Sequence, residues 1–179
     1  MTATVTETNH RVDAERDALL SFLAEQREFL LTTVRGLDDA RLQERPTASV
    51  LNLIGIVKHV SGAERGWLRF IEEGPDSKEV DYESQETYDH HENTFRLVGD
   101  ETVEGVLSGY AETAEATEAC IRALPDLEVS QKLPPAPWFP EETAWTARDV
   151  LLHLIRETAQ HCGHADIIRE SIDGQKTMG

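Results

Sequence analysis

Apolar positions recur at helical spacing in four separate stretches of the chain. From about residue 11 to 36, Leu19, Leu23, Leu30, Val34 and Leu37 follow steps of three, four and seven. Residues 1–10 are polar and carry no period, so they read as a frayed start. Gly36 and the Asp38–Asp39 pair end the first stretch, and Pro46 forbids a helix through the connector that follows. A second helix is expected over roughly 50–73, with Ser49 as its N-cap. Leu53, Val57, Val60, Trp67 and Ile71 share one of its faces, and Gly74-Pro75 stops it. Residues 75–100 are polar, acidic and aromatic without a sustained period, and read as a long loop with at most one short turn. A third helix spans about 102–124, with Val103, Val106, Tyr110, Ala114, Thr117, Ile121 and Leu124 in line and Pro125 closing it. The PPAPWFP run within 125–145 is irregular or extended backbone. Thr146 and Asp149 then form a capping box that opens a fourth helix, which runs to about 173 and ends at Gly174.

Four long helical patterns and no sustained strand pattern predict an all-α domain, a four-helix bundle with long connections around one core. At 179 residues the whole chain, 1–179, suits one domain rather than two. The connections after the second and third helices exceed ordinary loop lengths, which points to function or to a crossover. Composition narrows the partners. There are 17 Lys plus Arg against 34 Asp plus Glu, a formal charge of −17. That balance argues against nucleic acid and against an anionic membrane surface. No run of apolar residues is long enough to span a bilayer, and the first residues have no secretory pattern. With only Cys120 and Cys162, a disulfide scaffold is not expected, and a reducing cytoplasm is the expected location.

The fourth helix contradicts its own pattern. Its core stripe is Val150, Leu154, Glu157, His161, Ala165, Ile168 and Ile172, so a Glu and a His stand where a bundle wants Leu or Ile. His164 lies at the edge of the same face. A carboxylate in a core costs several kcal/mol, on the order of 2–5, unless something pairs with it. A hydrogen-bonded Glu–His pair, an Arg partner or a metal ion would each resolve the conflict. The second helix offers His59 at the margin of its apolar stripe. Gly55, Gly62 and Gly66 line the same side, so either a neighbour packs very close there or the strip leaves room for a ligand. His161-Cys162-Gly163-His164 is not a zinc knuckle, because Cys162 points away from His161 and no second Cys/His cluster completes four ligands. His90-His91, His153 and His10 read as solvated or boundary residues, and the acidic run from Glu79 to Glu92 as a solvated face.

These residues carry a resemblance. KHVSGAERGW on the second helix and ETAQHCGHADIIRE on the fourth, together with LPPAPWF before it, resemble the DinB-like (YfiT-like) metal-binding four-helix bundles. The branch that looks closest is that of the mycothiol S-transferases and mycothiol-dependent enzymes. The resemblance covers almost the whole chain. It implies a divalent metal held by His59, Glu157 and His161, with Glu157 standing where many relatives carry His. His164 falls where other members often have Gln, and would be an alternative ligand or a support behind the ligands.

Two imidazoles and a carboxylate suit Zn²⁺ first, with Ni²⁺, Mn²⁺ or Fe²⁺ as alternatives. Three protein ligands leave positions open for chemistry. A thiol brought to such a centre loses its proton and becomes a nucleophile at neutral pH. The expected activity is therefore S-transfer from a low-molecular-weight, mycothiol-like thiol to an electrophilic small molecule, in detoxification or biosynthesis. Trp138, Phe139 and Trp145 would shape an apolar lid for the electrophile, or else simply pack across the bundle end. Lys58, Arg65 and Arg69 would meet polar parts of the thiol, or else form a solvated face. Metal-dependent hydrolysis, a non-haem iron site and a non-catalytic metal-stabilised module are the other readings. A homodimer through an apolar helix pair is compatible with the sequence.

Overall fold

The computed structural model describes residues 2–75 and 81–177, with side chains from Asp13 onward. His10 as a side chain and the Glu79 end of the acidic run therefore lie outside the described residues. The elements run α1 (Thr2–Val34), α2 (Asp39–Leu42), α3 (Leu53–Glu73), α4 (Gln85–Thr94), α5 (Val103–Ala123), β1 (Ser130–Lys132), β2 (Ala144–Thr146) and α6 (Ala147–Asp173). The long helices α1, α3, α5 and α6 form the bundle; α1 packs chiefly on α6, and α3 sits between α5 and α6. No described helix is long and apolar enough to cross a membrane.

Capping chemistry sets most of the ends. The Thr146–Asp149 box opens α6, and Gly174 closes it in the left-handed conformation at φ 79°. Thr102 caps α5, where the pattern starts its helix. α3 begins later than the pattern suggests. Its N-cap is Asn52, whose side chain accepts from the Gly55 N–H at 2.8 Å, while the Ser49 hydroxyl accepts from the Leu51 N–H within a turn. α1 is helical from Thr2, well before the apolar period starts, because nothing in that polar segment breaks a helix.

Two local features escape a periodicity reading. Helix α4 lies inside the expected long loop, opened by Ser84, which accepts from the Thr87 N–H at 3.2 Å. It buries no residue, so no apolar stripe marks it. The second feature is a two-stranded antiparallel ribbon that pairs Ser130 with Thr146, Gln131 with Trp145 and Lys132 with Ala144. Three residues are too few to show an alternating pattern, and the ribbon delivers the chain into the N-terminus of α6.

The interior departs from the single core expected. Among the described residues, one apolar cluster gathers Leu30, Val34, Ile54, Val57, Tyr110 and Ile168. A second gathers Leu23, Phe70, Ile71, Ile121, Leu151 and Leu154. Between them each long helix contributes buried polar groups: Arg27 from α1, Ser61 and Glu64 from α3, Thr113 and Thr117 from α5, and Thr158 and His161 from α6. The bundle therefore has a polar waist, and the residues singled out on α6 stand at its edge.

Candidate metal centre

Helices α3 and α6 bring His59, Glu157 and His161 to one point. His59 Nε2 lies 3.5 Å from Glu157 Oε1, and His161 Nε2 lies 3.3 Å from the same oxygen. One ligating atom from each of the three fits within 4.8 Å of the others. The spacing has a simple origin. Glu157 and His161 are one turn apart on α6, so their side chains share a face. His59 arrives from α3, which packs against that face, with its ring centroid 5.0 Å from that of His161.

Electrostatics make this arrangement incomplete. Burial, and then the neighbouring His161, push the His59 pKa down to about 4 against the opposing pull of Glu157. Burial also lowers that of His161. Both rings are therefore neutral at pH 7, and each has one nitrogen with a free lone pair. With the proton of each ring on Nδ1, the two Nε2 atoms and the Glu157 carboxylate oxygen would place three electron donors around a common centre. A divalent cation fits that donor set. Ligands about 2.0 Å from a tetrahedral Zn²⁺ are about 3.3 Å from one another, close to the two nitrogen–oxygen separations present here.

The remaining expected residues divide. His164 approaches His161 from behind, Nδ1 to Nδ1 at 3.5 Å, on the opposite side of the ring from Glu157. It is not among the three residues whose ligating atoms converge. Phe139 and Trp145 pack against the second apolar cluster, with Trp145 stacked on Trp67 at 4.8 Å. Trp138 is 62% exposed and meets the edge of Tyr82. His153, one turn before Glu157, sits against both Trp67 and Trp145, and its Nδ1 is 2.8 Å from the Arg156 guanidinium. Lys58 is neither solvated nor free. Its ammonium donates to the Asn93 and Arg96 carbonyls, each at 2.9 Å, and to Glu101 at 2.6 Å. Arg65 leans on Ser61, and Arg69 is exposed.

The glycine strip serves two purposes. A Cβ on Gly55 would overlap the Phe95 carbonyl, so there the backbone packs very close. A Cβ on Gly62 or Gly66 would meet nothing within 4 Å, so there the strip is open. Next to it, Ala63, Gly66, Trp67, Arg69 and Phe70 line a cavity of about 670 Å³. It begins one turn beyond His59 on α3, and Trp67 carries its wall towards His153 on α6.

Residues from α4 and its C-terminal end complete the surroundings, and periodicity gives no sign of them. Phe95 stacks on the His59 ring at 3.9 Å, Thr94 Oγ1 lies 3.0 Å from His59 Nδ1, and His91 meets the ring edge-on at 5.9 Å. His91 is thus on a helix rather than in a loop, and although exposed it meets the cluster at its edge.

Compared with known proteins, residues 18–174 match the family model described as Mycothiol-S-transferase. Among solved structures, the chain is similar to the crystal structure of a conserved protein from Enterococcus faecalis, with a TM-score of 0.64 at 13% identity. That match covers 89% of this chain and 97% of the other, and at such identity it shows the shared fold alone. No curated protein matches.

Proposed function

The chain belongs to the mycothiol-S-transferase family, and from that membership we propose that it is a metal-dependent thiol S-transferase. The observation that carries the proposal is the convergence of His59 Nε2, His161 Nε2 and Glu157 Oε1 on one point, with both rings neutral. His59, Glu157 and His161 would hold a divalent cation, Zn²⁺ before Ni²⁺, Mn²⁺ or Fe²⁺. When bound, such a cation supplies Lewis acidity that stabilises the thiolate of a low-molecular-weight thiol at neutral pH.

The reaction forms a carbon–sulfur bond between the thiol and an electrophilic carbon. The bond to the leaving group breaks and its electron pair departs with that group, while the thiol proton passes to solvent. The protein's own part is to orient and to exclude water. Trp67 and Trp145, stacked beside His153 one turn from Glu157, form an apolar wall along which an electrophile would lie. Phe139 supports Trp145 edge-on at 5.7 Å, and Trp138 extends the same aromatic row to the surface. The open strip at Gly62 and Gly66 leaves space for the bulk of the thiol.

The test uses chelator-stripped protein purified without a metal-binding tag. Zn²⁺ at a hundred times its dissociation constant raises stability by about 2.7 kcal/mol in the wild type and not in His161→Ala. Conjugation of mycothiol to 1-chloro-2,4-dinitrobenzene, followed by mass spectrometry, should depend on the added metal and be lost in the same variant. Metal uptake with hydrolysis of test esters and no thioether would favour the hydrolase reading. No uptake by the wild type would remove the proposal.

A further inference from the structure

A neutral imidazole holds a metal through a chosen nitrogen only if the other nitrogen carries the proton, and a neighbour normally decides which one does. At His59 two neighbours compete, the Glu157 carboxylate 3.5 Å from Nε2 and the Thr94 hydroxyl 3.0 Å from Nδ1, and the shorter contact, with the hydrogen bond that Thr94 already makes, points to one tautomer. The Thr94 hydroxyl has one hydrogen, which it donates to the His91 carbonyl at 2.6 Å. Towards His59 Nδ1, 3.0 Å away, Thr94 Oγ1 can therefore only accept. While Thr94 holds that bond, the proton belongs on Nδ1 and the lone pair on Nε2, the atom that faces Glu157.

The segment that carries Thr94 is anchored on both sides. Lys58, the residue before His59, binds the Asn93 and Arg96 carbonyls. The Asn52 amide reaches the Phe95 carbonyl at 3.4 Å, and Gly55 allows that carbonyl its close approach to α3. Phe95 then stacks on the His59 ring with an interplanar angle of 18°, so its face bears on the plane in which the ring is held. α3 thus fixes, through residues on its own first two turns, the segment that in turn fixes its histidine.

We propose that residues 91–96 are a positioning element for the metal ligand His59, with Thr94 the positioning residue that sets its tautomer. The inference rests on the functional reading above only for the metal; the tautomer is a property of the metal-free protein. It turns the segment after α4 from a connection into part of the centre, and it assigns roles to Thr94, Lys58 and Phe95 that no helical stripe marks.

The test has two readouts. Long-range ¹H–¹⁵N correlation spectra of histidine-labelled, metal-free protein at pH 7.5 report which His59 nitrogen is protonated. The wild type and Thr94→Ser should show the Nδ1–H form, and Thr94→Val a mixture or the Nε2–H form. Competition against a chromophoric chelator then gives Zn²⁺ affinity, expected to fall roughly 10–100-fold in Thr94→Val and to stay near wild type in Thr94→Ser. Lys58→Met, which releases the segment without touching the histidine, should weaken zinc binding in the same direction. An Nε2–H tautomer in the wild type, or a Thr94→Val variant unchanged in both spectrum and affinity, would overturn the proposal. A wild type that binds no zinc removes the functional reading, while the spectra still decide the role of Thr94.

Discussion

Two carboxylates interrupt the apolar interior of this bundle, and they are resolved in opposite ways. Glu64 is 0% exposed and is satisfied by the protein itself. The Arg27 guanidinium forks across its two oxygens, and Thr117 donates to it at 2.6 Å. Glu157 is partly open, and its polar neighbours at the centre are two neutral imidazoles, neither of which brings it the positive charge that Arg27 brings to Glu64. The first arrangement is closed: every strong acceptor has a donor. The second is a set of donors without a recipient. The difference separates structure from chemistry, because a site kept for a cation must be built so that the protein alone does not satisfy it.

The largest effect should come from deleting each carboxylate in turn in metal-free protein. Glu64→Ala leaves Arg27 buried and unpaired and should cost about 3–5 kcal/mol in urea unfolding, whereas Arg27→Met with Glu64→Leu should recover most of it. Glu157→Ala should change stability by less than about 1 kcal/mol, because little depends on that residue until a cation arrives. Equal losses at the two positions would erase the distinction.

A smaller effect follows from the histidines. The folded-state pKa of His59 is depressed to about 4 from 6.5, and that of His161 is lowered in the same direction. Between those values the unfolded chain binds the proton and the folded chain does not. The stability that the neutral rings contribute is therefore full above pH 6.5 and is lost as the pH falls towards 4. Urea midpoints measured from about pH 7.5 to about 4.5 should fall more steeply for the metal-free wild type than for His59→Ala. Parallel curves would mean that the rings titrate alike in both states.

The smallest effect concerns the open side of the centre. Gly62 is exposed in the interior of α3 and would receive a Cβ without contact, so Gly62→Ala should stabilise the fold by about 0.5–1 kcal/mol. A thermal melt decides it. A gain there would show that this bare position is not required by packing, in contrast to Gly55 on the same helix.

The bundle and its centre differ in how far they are written in the chain. The four long helices, the Thr146–Asp149 box and the end at Gly174 are local properties, and their patterns predict them. Family membership follows from motifs on α3 and α6 that the family model also matches. His59, Glu157 and His161 are visible as polar residues set into or beside apolar stripes, and the structure brings them together. Glu64 escapes notice because the α3 stripe steps by seven from Val60 to Trp67 and passes over the position in between that Glu64 fills, while a Glu beside Arg65 reads as part of a charged surface. Thr94 and Phe95 escape for a different reason. They lie in a polar stretch without a period, and they meet His59 only through tertiary approach across some 35 positions of chain. The ribbon of β1 and β2 is hidden by its brevity.

The polar waist has a consequence for assembly. Antiparallel helices faced with leucine and isoleucine can slide past one another by a turn and still match oil to oil. Here such a slip of α1 along α3, about 5.4 Å for one turn, would carry Arg27 into an aliphatic layer and strand Glu64 without a counterion. The two apolar clusters hold the helices together, while the charged pair between them tells each helix where along its neighbour to stop.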